Sequence, residues 1–504
     1  MAHALMVQGT GSHVGKSFLV TALCRILKQD GYSVAPFKAQ NMALNSYVTE
    51  DGGEIGRAQV VQAEAAGIKP TVDMNPILIK PQSDIGAQVI IQGRVVGNYS
   101  AAAYHRYKRE AIQLVRDSYN RLSREYDIIL IEGAGSPAEI NLKKHDIVNM
   151  TVAKMAGAPV LIVCDIDRGG VFASLVGTME LLAPRERDRV EGFVINKFRG
   201  DINLLKPGLT FIKKKTGVGV LGVVPYLKDI SIPDEDSVAL EKRPHHSDGK
   251  GLDVAVLKLP HISNFTDFDP LENETDVALR YVERSSQLGN PNLLIIPGSK
   301  NTIDDLRYLK TGGFLKEIMK LKKGGCAILG ICGGFQMLGK CINDPDGVES
   351  SLKSIKGLGL FDMETQLEKK KSTYQVEAEE IHRNEHTKPN DLLRGYEIHM
   401  GRATINNEAS LFRINKRSGQ TCSVNDGALS RDGRIMGTYI HGIFDNDGFR
   451  RRFLNHISRS RTATSSTMPD DFKFHAFKEE QYNRLADAIR HSLDMNVIAN
   501  LLKR

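Results

Sequence analysis

The sequence contains no long uninterrupted apolar run, so nothing in it is expected to cross a bilayer as a helix. It also lacks a Cys-x-x-Cys pair and any clustering of cysteine with histidine. Cys24, Cys164, Cys326, Cys332, Cys341 and Cys422 are scattered, which argues against a zinc knuckle or a disulfide scaffold and for a reducing, cytoplasmic setting. No long block of like charge occurs either. Lys and Arg (67) nearly balance Asp and Glu (60), so the net charge of +7 suits small anions and marks neither a nucleic-acid nor a membrane-surface binder. The opening Met1-Ala-His-Ala-Leu-Met-Val7 carries no basic region or cleavage site of a leader. Tryptophan is missing altogether, which selects no fold class, and composition favours no oligomeric state.

What is present is a chain of 504 residues, 41% apolar, too long for one hydrophobic core and long enough for two or three domains. In the first half, strands are expected at 4–8, 32–37, 127–132, 159–164, 189–195 and 218–224. They alternate with helices at 16–30, 100–125, 147–156 and 170–182, interrupted by a polar, Gly-rich excursion reaching about residue 97. Short apolar runs between helices imply a mostly parallel sheet covered on both faces. Residues 233–250, with Pro233 and Lys242-Arg-Pro-His-His-Ser-Asp-Gly249, read as a linker. The alternation then restarts, with strands at 252–258, 292–296, 325–330 and near 374–380, 408–413 and 434–439, and helices at 273–285, 302–320 and 333–341. The expected organisation is a first α/β domain over 1–232, a second over 251–457, and a helical appendage over 458–504 with an amphipathic helix at 479–503.

Gln8-Gly-Thr-Gly-Ser-His-Val-Gly-Lys-Ser17 follows an apolar strand and opens a helix, the setting of a phosphate loop. Gly9, Thr10, Gly11 and Gly15 would present backbone amides to the phosphates of ATP, Lys16 would meet the β and γ oxygens, and Ser17 would hold Mg²⁺. The spacing is one residue longer than the usual loop between Gly9 and Gly15. Glu132 in Ile131-Glu-Gly-Ala-Gly-Ser136 ends a strand, where a carboxylate can hold Mg²⁺. Glu54 and Asp51 are either further metal ligands or solvated loop acids. Lys38 could assist Lys16 on a transferring phosphoryl group. Asp165 and Arg168 end another strand, and Asn196 and Lys197 are placed to touch the base. Such a site can activate a carboxylate as an acyl phosphate for attack by ammonia.

Cys332, in Ala327-Ile-Leu-Gly-Ile-Cys-Gly-Gly-Phe-Gln336, stands where a buried strand would end and a helix begin, a position that suits a nucleophile. Thr438-Tyr-Ile-His-Gly-Ile-Phe444 offers His441 as its base. Leu294-Ile-Ile-Pro-Gly-Ser-Lys-Asn-Thr302 breaks into a turn at Gly298 whose amides could join the N–H of Gly333 in an oxyanion hole. The sulfur would attack the side-chain amide of glutamine, His441 would hand a proton to departing ammonia, and water would release glutamate. His399 either orients substrate or satisfies a turn.

These blocks, with Pro36-Phe-Lys-Ala-Gln-Asn-Met42, Asn75-Pro-Ile-Leu-Ile-Lys-Pro81, Asp165-Ile-Asp-Arg-Gly-Gly-Val-Phe172, Asn196-Lys-Phe-Arg-Gly-Asp201 and Tyr396-Glu-Ile-His399, closely resemble the cobyric acid synthase family and run in family order over nearly the whole chain. The resemblance implies a P-loop, dethiobiotin-synthetase-like domain with a mostly parallel sheet, followed by a class I glutamine amidotransferase-like α/β domain. It also implies ATP-dependent amidation of the b, d, e and g carboxylates of adenosylcobyrinic acid a,c-diamide. Cys332 matches the nucleophile, His441 the base and Gln336 a substrate contact. The usual third member, a Glu two residues after the His, is replaced by Ile443. That leaves His441 without an orienting carboxylate and predicts weak stand-alone glutamine cleavage. Asn41 and Asn45, beside Lys38, are expected to face the corrinoid, with Lys80 and Arg94 adding positive charge. Competing readings are a cobyrinic acid a,c-diamide synthase, which amidates other carboxylates of the same ring, and a non-enzymatic nucleotide switch of the partitioning type.

Overall fold

Six parallel strands build the first half, in the order Val220–Pro225, Val190–Phe198, Val160–Asp165, His3–Gly9, Ile128–Glu132 and Val34–Phe37. The computed structural model describes residues 2–82, 86–233, 251–381, 392–459 and 472–503, without side chains for 100–110. The strands are almost wholly apolar because helices cover both faces, and their polar ends, Gly9, Glu132, Asp165 and Asn196, emerge along one edge. Helix Lys16–Gln29 starts directly from the phosphate loop at that edge.

The excursion to residue 97 is not irregular. It holds helix Arg57–Ala66 and a four-stranded sheet of Gln40–Met42, Ile77–Pro81, Gly86–Ile91 and Arg94–Ser100. The sequence also concealed helix Ile202–Thr216, whose first turn is capped by the Asp201 side chain.

A second sheet carries Val277–Val282, Leu252–Leu257, Leu293–Ile296, Ala327–Ile331 and Ile435–Thr438 in parallel, with Ala428–Leu429 antiparallel at its edge. Val277–Val282 overturns the helix expected at 273–285: Val277-Ala-Leu-Arg-Tyr-Val282 pairs residue by residue with Leu252–Leu257, and tertiary pairing prevails over helical periodicity. The helix expected at 302–320 is two, Thr302–Thr311 and Phe314–Lys323, because Gly312-Gly313 intervenes with φ +77° at Gly313. Beyond this sheet, Met363–Glu380 and Leu393–Ile405 form a long antiparallel pair.

The expected linker lies, past residue 233, outside the described residues. The C-terminal helix also divides, into Phe474–Ser492 and Met495–Leu501, and both return to the first half. Tyr482, Leu485, Ile489 and Ile498 share a core with Leu19, Leu23 and Ile26, and Arg25 pairs with Glu479 at 2.8 Å. Each aliphatic side chain buried there contributes about 1.5–3 kcal/mol. Among the described residues no helix is long and apolar enough to cross a membrane.

Candidate active site

At the edge of the first sheet the phosphate loop closes on itself. Gly15 has φ +105°, and a Cβ there would lie 2.0 Å from the Asn196 amide, so only glycine fits. Asn196 donates to the Val14 carbonyl at 2.9 Å, and Lys197 donates to the His13 carbonyl at 2.8 Å and pairs with Asp165 at 2.7 Å. These residues brace the loop from behind. Arg168, more than half exposed, lies 3.7 Å from Asp165. The Thr10 hydroxyl meets the Cys164 sulfur at 3.2 Å, and Gly9 is so crowded that a Cβ would come within 2.6 Å of Val14.

Lys16 curls over the loop, donating to the carbonyls of Gly11 (2.7 Å) and Gly135 (3.1 Å). Ser17 donates to Glu132 at 2.8 Å, Lys38 pairs with Glu132 at 2.9 Å, and Gln62 donates to it at 2.5 Å. Burial pushes the Glu132 carboxyl up, but Lys38 and the hydrogen bonds from Lys38, Gln62 and Ser17 pull it below its usual range. A hydroxyl and an ionised carboxylate in contact are the hard oxygen donors Mg²⁺ prefers when phosphates complete its shell. Glu54, expected beside them, is elsewhere. Its two oxygens are taken by Lys80 (2.9 Å) and Lys371 (2.6 Å), which with the hydrogen bonds they donate overcome burial and lower its pKa to about 2. Glu54 is an ion-pair anchor here and not a ligand beside Ser17.

In the second half Cys332 sits between strand Ala327–Ile331 and helix Gly333–Leu338 with φ +54° and ψ −110°, a strained elbow that a non-glycine residue rarely adopts. The elbow packs tightly: a Cβ at Gly334 would fall 1.9 Å from the Ile296 carbonyl oxygen. His441 faces the thiol, with its ring stacked on Tyr396 at 5.2 Å and 17°. Its Nδ1 is 2.6 Å from Asp267, whose other oxygen accepts the Gly442 N–H at 3.0 Å. Burial lowers the His441 pKa, but the Asp267 charge, reinforced by Cys332, reverses this and raises it to about 10. His441 therefore does not lack an orienting carboxylate. Asp267 supplies it from the turn Phe265–Phe268, and the expectation of an unsupported base is corrected.

Gly298 packs beside the imidazole, where a Cβ would approach His441 Cε1 to 3.2 Å. Gly333 lies against Ser299, and Gln336 donates to the Met400 carbonyl at 2.9 Å. His399 stacks on Tyr439 at 3.9 Å and lines the same cavity as Cys332, Gly333 and Gln336.

The two halves meet at this thiol. Asn45 accepts the Phe265 N–H at 3.2 Å, and Asn264 accepts the Ser46 N–H at 3.1 Å. Tyr396 donates to the Ser46 carbonyl at 3.4 Å, and Lys80 of the first half lines the Cys332 cavity. Asn45 is fully buried in this junction and Asn41 donates to Gln59 at 3.0 Å, so neither presents a free face to a large substrate.

Residues 5–238 match the CobQ/CobB/MinD/ParA nucleotide binding domain, and residues 253–449 match the CobB/CobQ-like glutamine amidotransferase domain. The chain is 52% identical to a cobyric acid synthase of Syntrophobacter fumaroxidans, covering 99% of each. It is 52% identical to that of Desulforamulus reducens over 100% of this chain and 98% of the relative. It is 51% identical to that of Caldanaerobacter subterraneus, with 100% and 99% covered. The chain belongs to the cobyric acid synthase family. It is an enzyme, an amidotransferase in which a nucleotide-binding half is joined to a glutamine amidotransferase half. Within this cobyric acid synthase fold Lys16, Ser17, Lys38 and Glu132 gather in one cluster and Gly298, Cys332, Gly333, Gln336 and His441 in another, while Glu54 pairs with Lys80 and Lys371. Asp267, Lys300 and Lys371 escaped sequence reasoning. The local signal at Asp267 was slight, an Asn-Phe-Thr-Asp turn after a buried strand, opened by Asn264 at φ +54°.

Proposed function

We propose that the chain makes adenosylcobyric acid by amidating the b, d, e and g carboxylates of adenosylcobyrinic acid a,c-diamide with ammonia taken from glutamine. The observation that carries this reading is the buried Cys332–His441–Asp267 arrangement, whose Cys332 lines a cavity that Lys80 of the nucleotide-binding half helps to wall. Cys332 attacks the glutamine amide carbon, and the Gly333 N–H and the amides of the turn at Gly298 stabilise the developing oxyanion. The imidazolium of His441, held by Asp267, gives its proton to the departing ammonia. Water then releases glutamate from the thioester. In the other half Lys16 and Lys38 neutralise the γ-phosphoryl group of ATP as it passes to a substrate carboxylate. Ammonia displaces phosphate from the acyl phosphate to leave the amide. Mg²⁺ would be held by Ser17 and Glu132 and would neutralise phosphate charge.

The test is a mass-spectrometric count of amides formed from the a,c-diamide with ATP, Mg²⁺ and glutamine. Successive conversion of all four remaining target carboxylates is expected. Cys332→Ala is expected to abolish glutamine use and retain amidation from supplied ammonia; loss of both would refute the assignment of Cys332.

A further inference from the structure

The cavity at Cys332 holds more positive charge than amide cleavage needs. Beside Cys332, Gln336 and His399 it is lined by Lys80, Lys300 and Lys371. Two of these are accounted for: Lys80 and Lys371 each take one oxygen of Glu54. Lys300 is different. Its side chain is about nine-tenths buried or more, with only 6% of the residue exposed, and its ammonium has no hydrogen-bond or close ion-pair partner among the described residues. The acid that acts on it most is Glu349, which is occupied in accepting the Thr302 N–H at 2.7 Å and whose carboxyl burial pushes up toward the neutral form. Burial, together with repulsion from Lys371 and Lys80, pushes the Lys300 ammonium down.

An ammonium held this way costs free energy unless an anion joins it. Lys80 and Lys371 share Glu54, while Glu349 is engaged by the Thr302 N–H and pushed toward its neutral form, so Lys300 is the ammonium of the three that a ligand carboxylate can join. Resting on the reading of Cys332 as the nucleophile that cleaves glutamine, the ligand of this cavity is a zwitterionic amide whose α-carboxylate, and not its net charge, is what the ammonium of Lys300 can bind. We propose that Lys300 binds the α-carboxylate of glutamine, with Lys80 of the nucleotide-binding half adding a second positive charge, so that glutamine recognition draws on both halves of the chain. Lys300 is then a specificity-determining residue. It sits in the Pro297-Gly298-Ser299-Lys300 turn that also flanks His441, which places carboxylate recognition and proton transfer on one rigid segment. Lys80, expected from the sequence to add positive charge for the corrinoid, lines the Cys332 cavity.

The experiment compares cleavage of glutamine with that of 4-aminobutanamide, the same amide with hydrogen in place of the carboxylate. The full chain is expected to prefer glutamine strongly in kcat/KM. Lys300→Met, and Lys300→Gln as a second variant, are expected to shrink that preference about tenfold or more, mainly through glutamine KM, the scale of a charged hydrogen bond. Ammonia-supported amidation should persist in both and reports that they fold. An unchanged preference, or an equal loss for both amides, overturns the assignment, since a general effect on the thiol would weaken both alike. Equal cleavage of the two amides by the unaltered chain overturns it without any variant. If Cys332→Ala still cleaves glutamine, it is the glutaminase reading itself that fails.

Discussion

One carboxylate governs the thiol site. Asp267 is 174 residues from His441 in sequence yet 2.6 Å from it in space. Asp267→Asn keeps the shape but loses the charge, and is expected to reduce glutamine-dependent turnover about a hundredfold or more while sparing the ammonia-supported reaction. The pH behaviour follows from the sign of the shift. His441 rises from 6.5 to about 10 on folding, so its ion pair stabilises the chain fully below about 6.5. That contribution declines as pH rises and is lost above about 10. Urea denaturation of the unaltered chain should therefore show a loss of stability across this window that Asp267→Asn lacks. A similar slope in both would mean that the pair does not form.

At the scale of elements, Asp267 is placed by a short turn that is clamped from the other half. The reciprocal hydrogen bonds of Asn45 with Phe265 and of Ser46 with Asn264 hold the turn that presents Asp267. Asn45→Ala leaves the buried Phe265 N–H unpaired, a loss of about 1–3 kcal/mol. The expected result is about a tenfold lower glutamine-dependent rate with corrinoid KM unchanged. A rise in corrinoid KM alone would return Asn45 to the acceptor site. Secondary structure was legible where period and punctuation agreed, as in the strand, loop and helix of His3–Gln29. It was illegible at Val277–Val282, where pairing with Leu252–Leu257 decides the conformation and no local signal reports the partner.

At the scale of the whole molecule, Glu54 ties the halves together by accepting Lys80 from its own half and Lys371 from the other. Removing it in Glu54→Gln leaves two buried ammoniums facing each other and should destabilise the chain on the order of 3 kcal/mol, measured by denaturant unfolding. Because folding lowers the Glu54 pKa from 4.5 to about 2, its contribution is complete above about 4.5 and is lost as pH falls through about 2. The acid sensitivity of the unaltered chain in that window should exceed that of the variant. Lys16→Met is expected to abolish ATP-dependent amidation while glutamine cleavage continues at Cys332, and parallel loss of both would show that the phosphate loop controls the thiol.

The sequence alone determined what short spacing can encode: alternation of strands and helices, a glycine-rich loop ahead of Lys16 and Ser17, and a thiol at a strand end followed by glycines. These are properties of neighbours, set by backbone sterics and the side-chain period. Only the tertiary structure decided that Glu54 answers two lysines, that Asp267 orients His441, and that Lys80 and Lys300 face one cavity. Each of those facts joins residues far apart in the chain. Their meeting depends on how the sheets and the junction between the halves pack, and desolvation at that junction, not residue type, gives the charges their roles.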